Sequence, residues 1–127
     1  LDVWAGVLAL PIIGSLDAER AQTITERVLQ TVSSERARYL LVDLGSANVS
    51  DERSFERLIR LCQAVRLLGA EAVLTGISPS AATSLAKLAK QHTESLSELR
   101  ALATLREGLA YCLEQSKADR RSGTRRL

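Results

Sequence analysis

Hydrophobic positions in this chain fall into short unbroken runs, separated by longer stretches in which they recur every three or four residues. That is the signature of buried strands alternating with amphipathic helices. Val3-Trp4 and the run at 7–13 (VLALPII) are split by Ala5-Gly6, which reads as a hairpin-like turn. Pro11 cannot donate to a ladder and pushes its strand towards a sheet edge or a bulge. Residues 14–17 supply a turn and a cap, after which Ala21, Ile24, Val28, Leu29 and Val32 place a helix over about 18–33.

The stretch 39–52, YLLVDLGSANVSDE, organises the rest. Its apolar run ahead of Asp43 reads as a buried strand over about 38–43. Gly45, Ser46, Asn48 and Ser50 then form a turn, and Ser50 or Asp51 caps a second helix whose positive N-terminal pole Asp51 and Glu52 complement. Phe55, Leu58, Ile59, Cys62, Val65 and Leu68 stripe that helix, which stops at Gly69 in a left-handed C-cap.

A third buried strand at 70–77 (AEAVLTGI) follows. Ser78-Pro79 then supplies the N-cap and first-turn proline of a helix whose stripe is Ala81, Ala82, Leu85, Leu88 and Ala89. Residues 91–98 are polar and loop-like, and 99–103 offers a short strand. Thr104 and Glu107 make a capping box for a last helix striped by Leu105, Leu109, Cys112 and Leu113.

This order predicts an α/β fold: a single mixed, mostly parallel β-sheet of four to five strands, the N-terminal one reversed, with about four α-helices packed on it. In such sheets ligands and phosphates are met where a strand's carboxyl end hands over to a helix N-terminus. Right-handed crossovers bring the 43–52 and 76–79 turns to the same sheet end, where they form one surface.

At 127 residues, with 46% hydrophobic and 25% charged residues, one aliphatic-cored domain is expected over 1–116. The net charge of +2 conceals an asymmetry. Residues 117–127 carry five basic side chains against Asp119, which leaves 12 bases and 14 acids in the remainder. That segment reads as a basic, disordered tail, with neither the aromatics nor the amphipathicity to engage nucleic acid or lipid.

The apolar runs are too short to span a bilayer, and no secretory leader is legible, so a cytoplasmic protein is the expectation. The chain lacks methionine altogether, and Leu1 reads as the start of a fragment. Cys62 and Cys112 fall on helical apolar faces and are expected as reduced core residues, not a disulfide.

Motifs for phosphate-loop, nucleophile-elbow and zinc-protease chemistry are missing from the sequence. His92 sits in the polar stretch and reads as a solvated loop residue. Asp43, Asp51 and Glu52 are oxygen donors suited to magnesium, but turn bracing, capping and dipole compensation account for the same three residues. No metal or other cofactor is expected.

Four blocks in order, VLALPIIGSLDAERAQ, LLVDLGSANVSDE, AVRLLGAEAVLTGISPSAATSLAKL and ATLREGLA, resemble STAS domains, the anti-sigma-factor-antagonist fold. The likeness covers about residues 3–114 and points to the C-terminal STAS domain of stressosome proteins of the RsbR and RsbS type. It implies the STAS fold, no catalysis, and a protein-binding module of the general stress response. Its partners would be other STAS proteins, in homo- or hetero-oligomers, and a serine/threonine kinase of the RsbT type.

The resemblance also implies a phosphorylated serine or threonine directly after the aspartate that matches Asp51, where this chain carries Glu52. A glutamate there excludes phosphorylation and supplies a permanent charge of −1, against about −1.5 to −2 for a phosphate. A second acceptor of the family falls by spacing on Ser84, with Thr83 beside it. The contact loop would comprise Asp43, Ser46, Asn48, Ser50, Asp51 and Glu52. Two other readings stay open: a free-standing anti-anti-sigma factor that binds an anti-sigma kinase, and a small-molecule or metal-binding α/β domain built on the three carboxylates.

Overall fold

The apolar run ahead of Asp43 forms the middle strand of a five-stranded sheet. The computed structural model describes residues 3–49, 51–91 and 99–121. Ser50, His92 with the polar stretch after it, and 122–127 lie outside the described residues. In chain order the elements are β1 (Val3–Trp4), β2 (Val7–Pro11), α1 (Ala18–Glu35), β3 (Tyr39–Asp43), α2 (Glu52–Leu67), β4 (Glu71–Thr75), α3 (Pro79–Gln91), β5 (Arg100–Leu102) and α4 (Leu105–Arg121).

The strands lie side by side in chain order, with β1 antiparallel to β2 and the other neighbours parallel. The mixed, mostly parallel sheet expected from the sequence is therefore present, with four described helices.

Strand alternation divides the interior in two. Leu40 and Val42 of β3 join Val28, Val32, Phe55, Leu58 and Leu88 in a large core shared with α1, α2 and α3. Tyr39 and Leu41, on the opposite face, join Val7, Val73 and Cys112 in a smaller core beneath α4. Both cysteines are free and buried, and burial pushes the Cys62 thiol up to about 12 and the Cys112 thiol up to about 11.

Pro11 is tolerated because β2 has an open edge at that point. β1 pairs only with Val7 and Leu8, and Ile12 donates its N–H to Asp43 on the other side, so the missing donor of Pro11 faces no strand. The strand ends there, two residues before the apolar run does.

The last helix differs from its expected stripe. Leu105 and Leu109 are exposed, whereas Gly108, Cys112 and Ser116 are buried against the sheet. A Cβ on Gly108 would lie 2.4 Å from Thr75 Cγ2 and 2.7 Å from Leu41 Cδ1, so close approach to the sheet selects the small residues and turns the leucines outward. The helix also continues through residues 117–121, which the sequence reading assigned to the tail. Asp119 accepts the Tyr39 hydroxyl at 2.8 Å.

Candidate functional site

β3 ends at Asp43, and the chain then stays attached to its neighbours on both sides. Leu44 donates its N–H to the Thr75 carbonyl at 2.8 Å, and Ala47 closes a turn onto Leu44 at 3.1 Å. On the other flank Gly14 donates to Ser46 O at 3.0 Å and Asn48 donates to Gly14 O at 2.8 Å. Leu44 and Val49 are buried anchors, which leaves Gly45, Ser46 and Asn48 exposed between them.

Asp51 occupies the N-cap of α2 with extended backbone, and its side chain accepts the Ser54 N–H at 2.7 Å. That backbone bond, helped by the Ser54 hydroxyl, holds the Asp51 carboxyl below the usual aspartate range. Glu52, the first helical residue, is exposed beside it. Two carboxylates thus stand at the rim of the positive pole of α2.

Asp43 is placed differently from Ser46, Asn48, Asp51 and Glu52, the other described residues of the predicted contact loop, which are exposed. It is partly buried, and its Oδ1 accepts from the Thr75 hydroxyl at 3.0 Å and from the Gly45 N–H at 3.4 Å. It braces the turn from beneath.

The β4–α3 turn adjoins this loop, as the crossover argument requires. Gly76, with φ +72, packs its backbone directly on Gly45. Ser78 caps α3 by accepting the Ala81 N–H at 3.1 Å. Within the helix, exposed Thr83 donates its hydroxyl to Pro79 O at 3.1 Å, and the next residue, Ser84, is half-buried.

Two arginines that local pattern did not single out secure the third side. Arg20 donates to the carbonyls of Ile13 and Ser15, and Arg57 of α2 donates to Leu16 O at 3.1 Å. Ser54 Oγ reaches the same Leu16 carbonyl at 3.5 Å. The Arg20 bonds reach back only five and seven residues, whereas those of Ser54 and Arg57 span 38 and 41, a separation for which a one-dimensional pattern carries no signal.

Among the described residues, no three histidine, cysteine or carboxylate side chains gather into a metal-binding group. No described helix is long and apolar enough to cross a membrane. The geometry is that of a braced, polar surface with an acidic rim.

Residues 2–101 match the model of the STAS domain. The chain belongs to the STAS domain family. The RsbT co-antagonist protein RsbRA of Bacillus subtilis is 31% identical over 116 residues, which cover 91% of this chain and 41% of that protein. The chain therefore spans about two fifths of the length of this curated relative.

Among solved structures, a serine-to-glutamate variant of RsbS from Moorella thermoacetica superposes with a TM-score of 0.72 at 24% identity, covering 88% of this chain and 92% of that one. A chain from the molecular architecture of the stressosome, a signal integration and transduction hub, gives 0.71 at 22% identity, covering 92% and 97%. These likenesses establish the STAS fold, and the sequence relationship establishes homology to the RsbR-type co-antagonists.

Proposed function

We propose that this STAS domain is a non-catalytic regulatory module of a cytoplasmic stress-response complex. It binds other STAS proteins of the RsbS and RsbR type and a serine/threonine kinase of the RsbT type. Phosphorylation of Ser84 or Thr83 changes which partner it holds.

The observation that carries this reading is the exposed acidic start of α2, Asp51 with Glu52, on a loop braced from both sides and touching the turn that leads into α3. Charge presented at a rigid edge is read by a docked protein without reorganisation of the loop. Glu52 holds one such charge permanently.

A phosphate on Thr83 or Ser84 adds a second, switchable charge within the first two turns of α3. A partner on that surface then meets up to two more negative charges. Thr83 would have to give up its bond to Pro79 O, and Ser84 would have to turn outward from its half-buried site. Either step links the charge to a local change in α3.

The test is phosphotransfer. Incubation with an RsbT-type kinase and ATP, followed by peptide mass spectrometry, is expected to place phosphate on Ser84 or Thr83 and nowhere on the α2 start. Phosphate confined to other residues, with no complex detectable by size-exclusion chromatography, would overturn the reading.

A further inference from the structure

The β3–α2 loop and the β4–α3 turn pass closer than side chains allow. A Cβ on Gly76 would lie 2.6 Å from Gly45 N and 2.9 Å from both Gly45 Cα and Asp43 Oδ1. Such contact leaves no room for one segment to shift independently of the other. The same Asp43 Oδ1 accepts from Gly45 on its own loop and from Thr75 on the neighbouring strand.

Thr75 is fully buried, and it is the last residue of β4 before Gly76 and the start of α3. Its methyl group packs under Gly108 of α4, so rotation of the side chain is blocked from that side. Its hydroxyl is therefore aimed at Asp43 by packing.

We propose that Thr75 is a positioning residue for partner docking. Acting through Asp43, it locks the loop that presents Asp51 and Glu52 to the turn that opens α3, so that the two helix starts shift as one unit. This inference rests on the docking reading above. Neither Thr75 nor Asp43 has to touch the partner, and the role of Asp43 is that of an acceptor and not of a recognised charge.

The test is calorimetric affinity for an RsbS-type STAS protein, with the fold of each variant checked by circular dichroism. Thr75→Ser keeps the hydroxyl and Asp43→Asn keeps an acceptor, and both are expected to bind within threefold of the unsubstituted chain. Thr75→Val keeps the shape but loses the donor, and is expected to bind at least tenfold more weakly. Asp43→Ala should match it, and serves if the buried substitution does not fold.

Thr75→Val binding within threefold of the unsubstituted chain would overturn the coupling alone. So would Asp43→Asn losing as much as Asp43→Ala, because the charge would then be what the partner reads. Absence of binding by the unsubstituted chain would overturn the docking reading and this inference with it.

Discussion

Tyr39, at the start of β3, donates its hydroxyl to Asp119 of α4 at 2.8 Å, across 80 positions of sequence. Arg38 adds its guanidinium 3.5 Å from the same carboxylate. Eight residues earlier on α4, Tyr111 donates to Glu71 at 3.0 Å, and Arg100 lies 3.4 Å from that carboxylate and 4.4 Å from the tyrosine ring centre. A helix whose inner face is glycine, cysteine and serine buries little apolar surface, so these polar latches carry an unusual share of its attachment.

Tyr39→Phe is accordingly expected to destabilise the domain by about 1 kcal/mol, and Asp119→Ala by about 1–2 kcal/mol because it removes the carboxylate that accepts the Tyr39 hydroxyl and faces Arg38. Urea denaturation measures both. A stability change within error for Asp119→Ala would show that residues 117–121 behave as a free tail.

Gly108 sets the distance between α4 and the sheet. Alanine is the better helix former by about 1 kcal/mol, yet its methyl would collide with Thr75 and Leu41. Gly108→Ala is expected to lose a net 1–3 kcal/mol, by the usual cost of overpacking about a methyl group. A rise in melting temperature would contradict the packing described.

The Asp51 cap gives a pH-dependent term with a definite sign. Its carboxyl titrates below the usual aspartate value in the folded chain, because the Ser54 N–H favours the charged form. The resulting stability is fully present above the unfolded value of about 3.9 and is lost as pH falls through the lower folded value. Asp51→Ala is expected to cost about 1 kcal/mol at neutral pH. That cost should shrink below about pH 3.9, as measured by urea denaturation at both ends of the range. A cost independent of pH would show that the cap does not depend on ionisation.

Most of the framework was legible because it is written locally. The run ahead of Asp43, the Ser78-Pro79 helix start, the Thr104 cap and the left-handed Gly69 all rest on residues within one turn of each other. The shared surface of the two turns followed from crossover handedness alone. What escaped were contacts between distant segments. Leu105 and Leu109 look like a core stripe until Thr75 and Leu41 set how close the helix comes, and Asp43 looks like a rim charge until Thr75 is seen beneath it. Arg57 carries no pattern that announces the Leu16 carbonyl 41 residues away.

The acidic start of α2 as a surface read by partner proteins is tested most directly by reversing its exposed charge. Glu52→Lys should weaken calorimetric affinity for an RsbS-type STAS protein at least tenfold, about 1.4 kcal/mol, while melting within a few degrees of the unsubstituted chain. Reversal of the exposed Glu26 on α1 should leave affinity unchanged. Equal affinity for Glu52→Lys and the unsubstituted chain would contradict the docking role of this corner.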